Sequence, residues 1–302
     1  MMAGLVNVEN QYLNLLRKVV TVGKTRQTRN GKTISLFGEM LSHDMQTGFP
    51  LLTTKRVAFS QVVSEFVWMM KGLTDVRWLL EYDNYIWVGD VYKRYMEEKP
   101  NSWPDLTKQQ FIEKLKNDER YDIWADIGVA YGAQYRAIAS NIDQIENLID
   151  DLKNDRFSRR HVVSLWQTQD LESMLLPPCM WSFQAYVDQR QGGKDTLHLM
   201  FHIRSSDLPL GLPFNIAFSG LMMLMLCHYT ELNMGTIKWT IGDAHIYENQ
   251  EDGVAEQITR EPLQLPWVDF NTEAKSVDFI DVDDFVLSKY ISHPRIEFPL
   301  SN

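Results

Sequence analysis

Cys179 directly follows Leu176-Pro177-Pro178 and precedes the alternating run Trp181-Ser182-Phe183-Gln184-Ala185-Tyr186-Val187. Two prolines restrict the backbone ahead of the sulfur, which suits a nucleophile held in one pose. A cysteine in an arbitrary chain is more often a small buried apolar side chain, and Cys227, inside the apolar run 216–227, fits that role. Cys179 differs in the cations that accompany it. Arg159-Arg160 precedes one strand-like segment and Arg204-Ser205-Ser206-Asp207 follows another. Guanidinium forks beside a hydroxyl are the groups that hold a phosphate monoester, and such cations lower the pKa of a nearby thiol. Read singly, each arginine pair is a solvated salt-bridging patch.

Four further residues could complete a nucleotide site. Asn215, after Gly211-Leu212-Pro213-Phe214, can both donate and accept a hydrogen bond and so could read the N3-H and O4 edge of uracil; its plain alternative is a helix N-cap. His245 and Tyr247, two apart in Gly242-Asp243-Ala244-His245-Ile246-Tyr247, could hold a sugar hydroxyl. Glu65 interrupts the apolar stretch Val62-Val63-Ser64-Glu65-Phe66-Val67-Trp68. Buried, it is a proton shuttle with a raised pKa; turned outward, it is an ordinary helix surface residue. Asn30-Gly31-Lys32-Thr33 ends like a triphosphate-binding loop, but Arg26 stands where that pattern needs its first glycine, which excludes nucleoside triphosphate hydrolysis.

The elements that must position these groups are legible from periodicity. Apolar spacing predicts helices over 7–22, with Asn7 as N-cap, over 57–71, stopped by Gly72, over 142–153, and through the apolar run 216–227. Strands are predicted at 33–45, 161–166, 181–187, 196–203 and 236–241, with a turn at Thr47-Gly48-Phe49-Pro50. The order of helices and strands lacks regular alternation, which favours an α+β fold. The charged, Trp-containing tract 93–121, with a short helix at 108–115, reads as an insertion, so the expectation is one domain over 1–302 with an inserted helical lobe near 91–125.

With 302 residues, 44% hydrophobic, the chain can bury a large core. Thirty Lys and Arg against 40 Asp and Glu give a net charge of -10, which argues against a general nucleic-acid-coating role and leaves any anion to a local arginine cluster. Two cysteines without a CxxC pair form neither a disulfide framework nor a zinc ribbon, so no metal is expected. The N-terminal residues lack the order of a signal peptide, and the apolar run is too short to span a bilayer, so no membrane association and a cytoplasmic location are expected.

Six ordered blocks resemble thymidylate synthase family enzymes over nearly the full length: Gly48-Phe49-Pro50-Leu51-Leu52-Thr53-Thr54-Lys55-Arg56, Ser158-Arg159-Arg160, Leu176-Pro177-Pro178-Cys179, Arg204-Ser205-Ser206-Asp207, Gly211-Leu212-Pro213-Phe214-Asn215-Ile216-Ala217 and Gly242-Asp243-Ala244-His245-Ile246-Tyr247. The resemblance implies a three-layer α+β sandwich whose large mixed sheet forms a homodimer interface. It implies 5,10-methylenetetrahydrofolate as co-substrate and dUMP as substrate. Cys179 then matches the nucleophile that adds to C6 of the pyrimidine. Arg204 and Ser205 match phosphate ligands, and Arg159 and Arg160 match a pair supplied by the other subunit. Asn215 matches the uracil reader, and His245 and Tyr247 match ligands of the deoxyribose 3'-hydroxyl. Glu65 matches the carboxylate that organises proton-transferring waters, and Tyr131 the tyrosine linked to removal of the C5 proton. Asp207 and Trp87 match folate-site residues.

The chain also departs from the family pattern. Met180 stands where a His usually follows the nucleophile, Thr28 falls where an N-terminal phosphate-loop Arg is usual unless Arg26 or Arg29 shifts into its place, and the chain ends Phe298-Pro299-Leu300-Ser301-Asn302 rather than in small apolar residues. These changes surround the pyrimidine water network and the folate lid, where a C5 methylene is either reduced by hydride or attacked by water. Related cytidylate hydroxymethylases also lack the His and share Lys-Thr-Ile, here Lys32-Thr33-Ile34. The expected product is therefore 5-hydroxymethyl-dUMP, with dTMP and dihydrofolate as the alternative. Such hydroxymethylases occur in viruses that replace a DNA base, which would place this one in the host cytoplasm. Asn215 favours uracil, since the cytosine enzymes carry Asp at that position. A carbohydrate-active reading leaves Cys179 and the arginines unexplained, and a catalytically silent binding protein would not need Cys179, Arg204, Asn215 and Glu65 together.

Overall fold

In the computed structural model, residues 6–138 and 142–299 are described; the terminal Leu300, Ser301 and Asn302 lie outside the described residues. Helix α1 (Val8–Val22) starts where expected, with the Asn7 side chain accepting from the Glu9 N–H at 2.8 Å. It lies against β2 (Gly31–Asp44), which pairs with β1 (Lys24–Thr28) through the two-residue turn Arg29-Asn30. The phosphate-loop-like Asn-Gly is thus a hairpin turn, with Gly31 at φ 124°. Strand β1 was not expected, because its polar, exposed sequence carries no alternation and only pairing with β2 holds it extended.

Helices α2 (Phe59–Met70), α3 (Arg77–Glu81), α4 (Val88–Glu98), α5 (Lys108–Asn117) and α6 (Gly132–Arg136) follow. A Thr107–Gln110 capping box starts α5. Aromatic rings knit the segment after α4: Tyr95 lies 4.9 Å from Phe111, and Trp103 lies 4.9 Å from Tyr121. Next come α7 (Gln144–Asn154), capped by Asp143, β3 (Val162–Ser164), β4 (Met180–Asp188), β5 (Thr196–Asp207), α8 (Gly211–Thr230), β6 (Asn233–Tyr247), α9 (Glu251–Gln257), β7 (Trp267–Phe270) and β8 (Phe285–Ser288).

The fold is α+β, as expected, with a mixed six-stranded sheet in the order β1-β2-β6-β5-β4-β3. Every neighbouring pair is antiparallel except β5–β6, which are joined by α8 as a crossover. Helix α8 packs on β5 and β6 and, on its other side, against α2, α7 and β7, making a middle layer buried nearly all round. Its length and apolarity would suffice to cross a membrane, but 72% of the relevant window is buried inside the fold, so it is a core helix.

Two differences from expectation bear on the site. Strand β5 runs to Asp207 and β6 to Tyr247, so Arg204-Ser205-Ser206-Asp207 and His245-Ile246-Tyr247 lie on strands rather than after them. Helix α8 begins at Gly211, so Asn215 sits inside it and is not its N-cap.

The first turn of α1 also orders the loop before α2. Glu9, fully buried, accepts from the Thr53 N–H at 2.6 Å, the Thr54 N–H at 2.6 Å and the Thr53 hydroxyl at 2.7 Å. Burial raises its carboxyl pKa, and these bonds oppose the rise. The loop so held leads directly into Lys55.

Candidate active site

The site is built outward from Cys179, which is half-buried at the mouth of β4. The Cys179 N–H donates to the Tyr131 hydroxyl at 3.1 Å. Arg204 reaches back from β5: its Nε donates to the Pro178 carbonyl at 3.0 Å, its Nη2 to the Pro177 carbonyl at 2.7 Å, and Nη2 lies 3.8 Å from the Cys179 sulfur. The Trp166 ring covers the same guanidinium, 5.4 Å from its centroid. The two prolines thus orient the arginine as well as the cysteine. Burial nonetheless raises the Cys179 thiol pKa, with Arg204 opposing that rise, so in the unliganded chain the lowering expected from nearby cations is outweighed by desolvation.

A second line of contacts runs from Cys179 to Glu65. Tyr131, just ahead of α6, adopts φ 38°, a left-handed conformation costly for a tyrosine. Its ring meets Trp87 edge-on, centroids 5.3 Å apart, and the Trp87 indole N–H donates to Glu65 Oε1 at 3.0 Å. Glu65 points into the protein, which excludes the surface reading. Burial pushes its carboxyl up to about 7, against the hydrogen bond from Trp87. Tyr131 is also pushed well above the usual phenol range, chiefly by burial and by the neighbouring thiol.

Asp207, the last residue of β5, accepts from the Leu210 N–H at 2.9 Å and from Gln250 Nε2 at 2.9 Å. Burial raises its carboxyl pKa, and His245 and Lys55 oppose the rise. Lys55, buried, donates to the Pro209 carbonyl and lies 4.8 Å from the Phe298 ring; desolvation pulls its ammonium down to about 8. Parallel pairing sets Asp207 opposite His245 and Ser205 opposite Asp243. His245 Nδ1 lies 3.3 Å from Asp243, its ring meets Tyr247 edge-on, and the Tyr247 hydroxyl bonds to Asn30 in the hairpin turn. Among the described residues the Ser205 hydroxyl and the Asn215 amide make no hydrogen bond, which leaves both available to a ligand.

Met180 is buried beneath Cys179, its sulfur 4.0 Å from the Ser219 hydroxyl, and that hydroxyl donates to the Asn215 carbonyl at 2.7 Å. The position after the nucleophile therefore faces the core, one turn below Asn215. Of the two candidate arginines, Arg26 is tied to Asp243 at 3.0 Å, whereas Arg29 bonds to its neighbour Asn30 at 3.1 Å and its charge acts on Tyr247 and Asp90.

The structure does not bring Arg159 and Arg160 to Cys179. Extending the Val162–Gln184 pairing puts Arg160 opposite Tyr186, seven positions along β4 from Cys179, or about 23 Å. Both are exposed, and neither makes an ion pair among the described residues. Lys55, Trp166, Asp243 and Gln250 were not singled out in the sequence as site residues, because their part depends on strand register and loop packing.

The sequence profile described as "Thymidylate synthase" matches residues 10–302. The chain is also 39% identical over 288 residues to the thymidylate synthase of Mesoplasma florum, covering 95% of this chain and 97% of that one. The chain belongs to the thymidylate synthase family. It is thus an enzyme, a one-carbon transferase, and the family's co-substrate is methylenetetrahydrofolate. Among the described residues no group of three or more His, Cys, Asp or Glu side chains could hold a metal.

Proposed function

We propose that this family member transfers a one-carbon unit to C5 of dUMP and releases 5-hydroxymethyl-dUMP. The bracketing of Cys179 by Arg204, with Tyr131 and Glu65 behind it, supports the transfer. Arg204, Ser205 and Arg29 take the phosphate, Asn215 reads the uracil edge, and His245 with Tyr247 holds the 3'-hydroxyl. The Cys179 sulfur adds to C6, its proton leaving as the bond forms, and C5 becomes nucleophilic. Methylenetetrahydrofolate supplies the one-carbon unit, received between Trp87 and Asp207. Tyr131 assists loss of the C5 proton and Glu65 relays protons through water; as the bond from the transferred carbon to the folate nitrogen breaks, tetrahydrofolate departs and an exocyclic methylene is left at C5.

Met180 carries the choice of outcome. Its buried thioether offers no hydrogen-bond donor where the family's usual His would, so water reaching the methylene would be held differently from the family's usual arrangement. In oxygen-18 water the nucleotide product should be 5-hydroxymethyl-dUMP carrying the label, with tetrahydrofolate released. Unlabelled dTMP formed in step with dihydrofolate would make this a thymidylate synthase.

The second reading concerns assembly. The sheet face away from α8 is open, with Met40 61%, Tyr186 58% and Trp181 36% exposed. Covering that face with a second copy would bring Arg159 and Arg160 of the partner subunit to the phosphate that they cannot reach within their own chain. Arg160→Ala and Cys179→Ser, each inactive, should then regain activity when mixed and allowed to exchange subunits, because one site of the hybrid dimer is intact. A monomer by sedimentation, with no regain, would remove the shared site. Free Cys179 and Cys227 thiols are in keeping with a cytoplasmic enzyme.

A further inference from the structure

Asp90 is a carboxylate that the reaction as described leaves unused. It lies on α4 three residues after Trp87, and side chains at this spacing share a helix face. That face is the one Trp87 turns toward Glu65 and Tyr131, with Cys179 beyond. Asp90 is half-buried, and its only hydrogen-bond partner among the described residues is its own backbone N–H. The charges of Lys93, Lys108 and Arg29 in the β1–β2 turn favour its ionised form, while burial raises its pKa. Its charge is among those that act on the Cys179 thiol, in keeping with the face it shares with Trp87. A half-buried carboxylate with unused acceptor capacity is placed to bind and deprotonate water.

We propose that Asp90 is the general base for the water that adds to the C5 methylene, a role that rests on the hydroxymethyl outcome above. The water oxygen bonds to the methylene carbon and one water proton passes to Asp90. The methylene π electrons move into the ring carbonyl as an enolate. That enolate re-forms the C5–C6 double bond as the C6–S bond breaks and Cys179 leaves as thiolate. No oxidant or reductant is consumed. Glu65, held by Trp87, serves the earlier proton transfers, so the two acids divide the chemistry.

The test is Asp90→Asn, assayed with dUMP tritiated at C5 and methylenetetrahydrofolate. In a single turnover, release of tritium reports steps before water addition and should stay within about threefold of wild type, while 5-hydroxymethyl-dUMP formation falls about 100-fold, the usual worth of a general base. Added 2-mercaptoethanol, whose thiolate needs no base, should restore turnover in the variant as a C5 thioether. Asp90→Glu should retain part of the hydroxymethyl product. Equal loss of tritium release and product, or an unchanged product rate, would overturn the role. Wild-type enzyme that makes dTMP would instead overturn the underlying reading, and this role with it.

Discussion

Cys179→Ser should lower turnover by more than about 1,000-fold while leaving dUMP affinity within a few-fold of wild type. The expectation follows from the separation of roles in the site. Arg204 is fixed by the Pro177 and Pro178 carbonyls rather than by the sulfur, so removing the thiol leaves the phosphate side of the site in place. The Cys179 N–H bond to Tyr131 is made by the backbone and also survives. A serine hydroxyl at this position is a far weaker nucleophile than a thiol, because almost none of it is ionised near neutral pH. Calorimetric titration with dUMP and single-turnover rates measure the two halves of the prediction. Full activity in the variant would remove covalent catalysis. Cys227→Ala is the control: burial pushes that thiol up to about 12, so it is inert, and its loss should leave the chemistry intact.

Glu65→Gln should lower turnover about 100-fold and remove the inflection near pH 7 from the turnover profile of the wild type. Glutamine keeps an oxygen for the Trp87 indole, so geometry is preserved while proton exchange is lost. The same substitution reads on stability, with a definite sign. The folded-state pKa of about 7 exceeds the ordinary value of 4.5, so the native state holds the proton more tightly than the unfolded chain between these limits. Wild-type stability therefore falls as pH rises from 4.5 to 7, by about 3 kcal/mol in full. The variant carries no such loss, so it should be the more stable protein at pH 8, with the gap narrowing toward pH 5. Denaturant midpoints at the two pH values test this, and a constant difference between the proteins would show that Glu65 is not the titrating group.

Much of this protein is written locally in its sequence. Asn7 caps α1, Thr107 and Gln110 cap α5, and the alternation in Met180–Asp188 makes β4, because caps and periodicity depend on residues only a few positions apart. The Pro-Pro-Cys order, the arginine pairs and Asn215 likewise marked out the chemistry and the family. What only the tertiary structure decided depends on contacts between distant segments. Strand β1 is extended because β2 pairs with it, not because of its own residues. Arg204 and Cys179 are 25 residues apart and meet because β4 and β5 are in register, and the same register holds Arg160 far from both. The directions of the Cys179 and Glu65 pKa shifts required knowing how deeply each is buried, since desolvation here outweighs the charges and hydrogen bonds around them. Helical and strand periodicity report which side of an element is apolar; they carry no information on which other element will cover it, and that cover sets the fields and distances on which the chemistry runs.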